Sequence, residues 1–478
     1  NALVVGLGTG STSGWLAQIE SIERVDSVEL EPAIVEVARI CTPVNAGVLS
    51  NPKSRVLLAD GREVLLADQQ EYDLIVSEPS NPYRAGIASL YTIEFYQAVA
   101  NRLRPGGIFT QWMQAYEVDT QTIRTVTATL GSVFPFVQVW QTNGVDMMFL
   151  CSMSDPGPIR IDHLRARLAQ EPFRKAFAVA WGTHDAEGFL SHFVAGAPFT
   201  RTITESESRV NTDDRMLVEF SFARTVGQTM AFNIGDLHSA AQEMGFHRPD
   251  IAGGGIDWTA VDAGRVMMYS LIHGTVPKHV DLGPSTDFAV GLYKTILAED
   301  LNRLLQIWAL GDFQLRFPFE IGAFASGLAD AADPDALKII RLLETWWPLE
   351  SKAIHCRFLW RTGEEESATF QLIELFEKVR YDPWIQSRFL VEALELTLEI
   401  AEDRPNLAPR LFDALVPEFA ASVNNEERIQ SLLRISSVLG PEKEAAVFHS
   451  LEPNVPWDHR LLVRRFESYA ATGDPLIE

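Results

Sequence analysis

The sequence predicts an α/β fold over residues 1–152 and an all-α region toward the C-terminal end. Three observations predict it. Strand and helix signals alternate with short connections from the first residue. A glycine-rich turn, Gly6-Leu7-Gly8-Thr9-Gly10, follows the first apolar run. From about Pro334, amphipathic helical patterns separated by polar or Pro-containing turns take over.

In chain order, the candidate strands are Ala2–Val5, Val25–Leu30, Arg55–Ala59, Tyr72–Ser77 and Gly107–Gln111. Helical patterns at Ser13–Ile22, Ala33–Ile40, Glu63–Ala67 and Ser89–Leu103 lie between them. Alternation of this kind predicts a parallel sheet with helices on both faces. Two further β-rich runs, Phe136–Gln141 and Met147–Cys151, flank Asn143-Gly144, a strong hairpin signal. Parallel strands followed by an antiparallel pair resemble the Rossmann-like sheet of class I methyltransferases more than a dehydrogenase sheet.

Residues 153–225 read as an extension with a helix at Ile161–Leu168 and a polar stretch over Arg201–Asp214. Residues 226–333 read as a mixed helical connector broken by Gly253-Gly254-Gly255. Within 334–478 the predicted helices are Ala336–Thr345, Glu365–Val379, Ile385–Ala401, Leu407–Phe412, Glu426–Leu439 and Trp457–Tyr469. Pairs recurring at roughly 35–40 residues suggest a TPR-like stack, with an irregular helical bundle as the alternative.

Composition narrows the function classes. With 40 Lys and Arg against 64 Asp and Glu, the formal charge is −24, a poor match to a nucleic-acid backbone. No apolar run is long enough for a transmembrane helix. Cys41, Cys151 and Cys356 are widely spaced, which points to a reducing compartment, the cytoplasm. The histidines form no metal-binding motif, so no metal is expected. The chain starts without Met and inside a strand, which predicts further sequence upstream of Asn1.

The chemistry concentrates at the predicted C-terminal ends of the strands, where open α/β sheets bind ligands. The turn Gly6-Leu7-Gly8-Thr9-Gly10-Ser11-Thr12 lets backbone approach a ligand at a helix N-terminus. Glu29, about twenty residues past the first glycine, suits the two hydroxyls of a ribose, with Glu31 beside it. Asp60-Gly61 after the third strand can receive an adenine amino group and leave room for the ring. Loop, ribose acid and adenine acid in this order favour an S-adenosyl ligand over NAD. Glu78, in Ser77-Glu78-Pro79-Ser80-Asn81-Pro82-Tyr83, is positioned as a general base or an ammonium ligand. Trp112, Gln114 and Tyr116 follow the fifth strand and could line the acceptor side.

Together, V-V-G-L-G-T-G-S-T, V-E-L-E-P, A-D-G-R, D-L-I-V-S-E-P-S-N-P, S-L-Y-T-I-E-F-Y and L-R-P-G-G-I-F-T-Q-W resemble the spermidine synthase family. More narrowly they are similar to its bacterial subgroup that often follows a multi-pass membrane region. The later V-N-T-D-D-R-M-L-V-E-F resembles a segment of the same subgroup, so the likeness covers residues 1–225. It implies S-adenosylmethionine or its decarboxylated form as donor, a polyamine-like amine acceptor, a homodimer and a membrane tether upstream. It also implies roles for Glu29 at the ribose, Asp60 and Gly61 at the adenine, and Glu78 as base.

This sequence departs from the family at three positions. Thr9 stands where the synthases carry the aspartate that holds the aminopropyl ammonium. Glu78 replaces the base aspartate, and Asn81 replaces a diamine-binding aspartate. The family's N-terminal β-hairpin domain is not in this sequence. Asp213 and Asp214 are candidates to supply replacement carboxylates, and Tyr83 stands beside the base loop. The resulting expectation is an S-adenosyl-dependent transferase moving an aminopropyl or methyl group to an amine. The alternative is a non-catalytic S-adenosyl sensor whose helical domain binds a protein.

Overall fold

The computed structural model describes all residues except 68, 81–85, 143–145, 226, 228–231, 277–285, 312–313 and 478. By contact density the chain divides into two units, Asn1–Glu299 and Asp300–Glu478.

The first unit opens with the expected alternation: β1 (Ala2–Val5), α1 (Ser11–Gln18), β2 (Val25–Glu29), α2 (Pro32–Ile40), β3 (Ser54–Leu58), α3 (Gly61–Ala67) and β4 (Tyr72–Ser77). A short 3-10 turn, Ile87–Tyr91, precedes α4 (Ile93–Ala100) and β5 (Leu103–Gln114). The single helix expected over Ser89–Leu103 is therefore divided. Thr92 ends the turn in extended conformation and caps α4 by accepting from Phe95 N. Strand β5 is longer than the expected Gly107–Gln111. Leu103 already pairs with Tyr72, and the Pro105-Gly106-Gly107 run is absorbed as a register shift.

Helix α5 (Thr120–Gly131) leads to β6 (Phe136–Gln141) and β7 (Asp146–Ser152). These two pair antiparallel, as the hairpin signal predicts. The Asn143-Gly144 turn itself lies outside the described residues. The extension supplies β8 (Ile159–Arg160), α6 (Ile161–Leu168), α7 (Phe173–Ala180), α8 (Ala186–Leu190), β9 (Phe193–Ala195), α9 (Ala197–Ser206) and α10 (Leu217–Thr225). Then come α11 (Ile234–Glu243), β10 (Ile251–Ala252), α12 (Trp258–His273) and α13 (Asp287–Leu297).

The main sheet runs β3-β2-β1-β4-β5-β7-β6-β9. Strands β1 to β5 are parallel, and β7, β6 and β9 each pair antiparallel to their neighbour. Strand β9, from the extension, adds an edge that the sequence did not announce. One face packs an aromatic core of Tyr91, Phe95, Tyr96, Phe109, Phe134 and Phe149. The opposite face carries Val4, Ala17 and Val76 under α1. Burial of each large side chain contributes about 1.5–3 kcal/mol, so the sheet edge that bears the site is held rigidly from both faces.

The second unit is helical: α14 (Leu301–Leu310), α15 (Pro318–Asp330), α16 (Ala336–Glu344), α17 (Pro348–Arg361), α18 (Glu365–Val379), α19 (Ser387–Asp403), α20 (Ala408–Leu415), α21 (Asn425–Leu439), α22 (Pro441–Leu451) and α23 (His459–Thr472). Helices α15, α17, α19 and α21 pack in series, each against the next. A core of Leu372, Phe376, Leu390, Ile400, Leu411 and Phe448 runs through them. The sequence reading missed α17 and α22. Both begin at a proline, which sits at the first helical position, where the missing N–H has no partner to lose. No helix among the described residues is long and apolar enough to cross a membrane.

Candidate functional site

The glycine turn emerges at the C-terminal end of β1, and its shape is set by close backbone approaches. Gly6 has φ +97°, and a Cβ there would sit 2.8 Å from the Glu78 carbonyl oxygen. Only glycine lets the β1 and β4 loops touch. In α1, a Cβ on Gly14 would come within 1.7 Å of the Asn45 carbonyl oxygen. Asn45 is fully buried, and its amide is spent on the turn. Nδ2 donates to Thr9 O (2.8 Å) and Ala38 O (2.7 Å), while Oδ1 accepts from Gly47 N and Val48 N. Asn45 is thus a positioning residue for the turn. Sequence reading missed it, because its value lies in partners from α2 and the turn, distant in sequence.

Gly8 and Gly10 are also at positive φ, and Gly10 immediately precedes α1, whose free N–H groups face the turn. Thr9 and Ser11 place their hydroxyls 3.0 Å apart on the exposed side. The turn therefore presents backbone donors, hydroxyls and a helix dipole in one place, which suits a polar ligand.

Glu29 closes β2 with both carboxylate oxygens engaged, one by Leu7 N (3.0 Å) and the other by Glu31 N (3.0 Å). Each oxygen keeps capacity for a further hydrogen bond, so the group remains competent for a diol. The glycine turn and the ribose acid are physically tied through Leu7. Glu31 itself is exposed and contributes its backbone N–H to this link. Asp60 caps α3, Oδ1 accepting from Arg62 N (2.7 Å) and Glu63 N (3.2 Å). Its second oxygen makes no hydrogen bond among the described residues. Gly61 is required by packing, since a Cβ would meet Val5 Cγ1 at 2.7 Å.

Glu78 follows β4 and is half-buried beside α1, where Thr12 Oγ1 donates to its Oε2 at 2.7 Å. Burial raises its carboxyl above the ordinary value, the Thr12 bond opposes this, and the charge of Asp146 adds to the rise. Desolvation outweighs the hydrogen bond, so the proton is held more tightly than by a free glutamate. Asn81 and Tyr83 lie outside the described residues.

The other side of Glu78 is formed by the ends of β5 and β7. Trp112 and Gln114 alternate on one face of β5, and Asp146 pairs directly with Gln114 across the sheet. Burial raises the Asp146 carboxyl above its ordinary value, and the nearby Trp112 side chain opposes the rise. Gln114 Nε2 donates to Tyr116 O at 2.9 Å, and the Tyr116 side chain is exposed. Asp146 is a second carboxylate at this edge that the sequence reading did not single out. Its only signal was its place next to the hairpin turn.

Asp213 and Asp214 do not stand beside Glu78 in this arrangement. Asp213 forms a two-pronged ion pair with Arg62 at the start of α3, and its N–H donates to Glu94 Oε2 (3.1 Å). The Arg62 guanidinium holds the Asp213 carboxyl below its usual range. Asp214 is exposed. The segment is anchored by its neighbour Asn211, fully buried, which donates through Nδ2 to Tyr91 O (3.0 Å) and accepts from Val218 N (3.2 Å). The pair lies on the β3 side, next to Asp60, not on the β5 side.

Farther along the sheet is a cavity of ≈ 140 Å3 lined by Tyr116, Gln141, Phe193, Phe232, His238 and Arg265. None of the turn residues, Glu29, Asp60 or Glu78 lines it. Among the described residues no group of His, Cys, Asp or Glu could hold a metal ion.

Residues 1–143 match the spermine/spermidine synthase domain. A polyamine aminopropyltransferase from Nitrosomonas europaea is 31% identical over 200 residues, which is 40% of this chain and 61% of the relative. A putrescine N-methyltransferase 2 from Nicotiana attenuata is 31% identical over 162 residues, 32% of this chain and 43% of the relative. A spermidine synthase solved with the transition-state analogue AdoDATO is 22% identical, with TM-score 0.30, covering 32% of this chain and 55% of that one. The chain spans about half to three-fifths of the curated relatives that head the comparison. The matched family is the one the motifs resemble.

Proposed function

We propose that the first unit transfers an alkyl group from an S-adenosyl donor to an amine, with Glu78 as the base. The observation that carries this is the position of Glu78. It touches α1 through Thr12, beside the turn and Glu29, and faces the ends of β5 and β7 on its other side. A group there can serve a donor and an acceptor at once.

In the proposed step the amine lone pair attacks the carbon bonded to the sulfonium sulfur. The C–N bond forms as the C–S bond breaks, its electrons pass to sulfur, and a neutral thioether leaves. The ammonium so formed loses a proton to Glu78. A carboxylate made more basic by burial is a better acceptor for that proton. Holding the two reactants in line supplies most of the rate. The turn residues Gly6, Gly8, Thr9, Gly10, Ser11 and Thr12 would hold the donor's amino-acid or aminopropyl end. Glu29 would take the ribose and Asp60 with Gly61 the adenine. The relatives named above include both an aminopropyltransferase and an N-methyltransferase, so either group is compatible with the domain. Thr9, where the synthases carry an acid, favours ordinary S-adenosylmethionine or an altered acceptor. The second unit reads as a TPR-like protein-binding stack. The serial packing of helices that begin at residues 318, 348, 387 and 425 supports this.

Calorimetry with S-adenosylmethionine, its decarboxylated form and methylthioadenosine, followed by turnover on an amine panel, tests the reading. The expected result is donor binding at micromolar levels or better, with turnover lost in Glu78→Gln while donor binding persists. Absence of binding by all three ligands sinks the proposal. Tight binding without turnover would support a sensor instead.

A further inference from the structure

The cavity of ≈ 140 Å3 past the end of β5 is walled by β9, by one face of α11 and by one face of α12. Most of its lining is apolar, with Tyr116, Phe193, Phe232 and Tyr269 as the large rings. A cavity of about 150 Å3 with such walls holds one benzene ring. Two polar side chains interrupt the apolar lining, Arg265 and His238, each only 8% exposed. Arg265 Nε and His238 Nε2 are buried and have no hydrogen-bond partner among the described residues. The rest of the guanidinium is fixed in place: Nη1 donates to Asp262 Oδ1 (2.8 Å), and Nη2 donates to Phe193 O (3.1 Å) and His247 O (3.4 Å). Asp262 is shared with Arg248, 3.6 Å away, so one acid faces two cations and the cluster stays positive. Burial lowers Arg265 to about 10, which leaves it protonated at neutral pH. Burial and the Arg265 charge lower His238 to about 3, which leaves its ring neutral. No carboxylate stands among the described lining residues. Buried N–H groups are almost always paired, and a buried cation with spare donors calls for an anionic acceptor.

We infer that this cavity binds a compact monocarboxylate with a ring-sized apolar body, whose oxygens accept from Arg265 Nε–H and His238 Nε2–H. His238 donates as its Nε2–H tautomer, and the apolar body rests on the aromatic walls. Ile234 and Gly235, in the first turn of α11, also line the cavity, so the positive end of that helix dipole adds to the same field. A neutral ligand of equal shape leaves the Arg265 charge unmatched, and an ammonium meets it with like sign, so the site selects by charge. It is separate from the donor cradle, since the glycine turn, Glu29, Asp60 and Glu78 do not line it. The assignment stands independently of the amine-transfer reading.

The test titrates the full chain in a calorimeter with benzoate, benzyl alcohol and benzylamine, which share a ring and differ in charge. Wild type should bind benzoate at least about 10-fold more tightly than benzyl alcohol, the scale of one charge-assisted hydrogen bond, and benzylamine weakest of the three. His238→Phe keeps a ring in the wall but removes the N–H, and should narrow the benzoate preference by about 10- to 100-fold. Arg265→Lys keeps the charge opposite Asp262 but removes Nε, and should narrow it likewise. Cooperative thermal melting of each variant shows that it is folded. If Arg265→Lys does not fold, His238→Phe decides alone. A purely structural role for His238 would lower the melting temperature without changing the ratio of benzoate to benzyl alcohol affinity. Equal affinity of wild type for benzoate and benzyl alcohol, or no benzoate binding at millimolar concentration, overturns the proposal. So does a benzoate preference that persists in full in the folded variants, since the anion would then bind elsewhere.

Discussion

Asn45, Gly14 and Glu78 carry the residue-scale physics of the site. Asn45 is buried with all of its amide hydrogen bonds made, two to carbonyls and two from backbone N–H groups. Asn45→Ala should cost about 1–3 kcal/mol by denaturant titration, since it strands the Thr9 and Ala38 carbonyls, and it should weaken donor binding in calorimetry. Gly14→Ala drives a methyl group into the Asn45 backbone. A loss of about 1–3 kcal/mol or more is expected, with a matching fall in melting temperature. Glu78 must be ionised to act as a base, and its proton is bound more tightly than usual. The acid limb of kcat against pH should therefore lie above the ordinary glutamate value and disappear in Glu78→Gln. At this scale Glu29 and Asp60 were legible, because their spacing from the glycine turn mirrors strand ends. Asn45, Asn211 and Asp146 were not, since their meaning depends on partners brought together by folding.

At the scale of elements, periodicity and turn chemistry placed strands β1 to β7 and about half of the helices. Three of the misses share one cause. Proline was read as a break, yet Pro348 and Pro441 open helices α17 and α22. In β5 the Pro-Gly-Gly run was read as a boundary, although the strand passes through it with a register shift. Glu350, in the first turn of α17, shows a consequence of such a placement. It accepts from Gln386 N at 2.7 Å, just before α19, and burial pushes its carboxyl up to about 7. A carboxyl whose folded pKa exceeds its unfolded one favours the protonated fold. Stability should fall as pH rises from about 4.5 to 7 and level off above, a penalty of about 3 kcal/mol. Glu350→Gln should flatten that slope in urea titrations at stepped pH. An unchanged slope would show that the glutamate is not the titrating group.

For the whole molecule, two units with separate cores share one chain, the sheet with its aromatic layer and the helical stack around Leu372 and Phe376. Residues 1–299 contain every proposed donor contact. Expressed alone they should bind methylthioadenosine with the affinity of the full chain, and a loss beyond 10-fold would show that the helical unit is needed for the site. The sequence by itself determined the α/β order, the antiparallel hairpin, the glycine turn with its strand-end acids and the helical character of the C-terminal region. Those features follow from local periodicity, turn residues and spacing, which act over short stretches of chain. Only the tertiary structure decided that β9 joins the sheet, that Asp213 is tied to Arg62, that Asn45 holds the turn, and that Asp146 faces Gln114 beside Glu78. Each of those depends on long-range packing and on which buried polar groups find a partner, and neither is written in the local pattern.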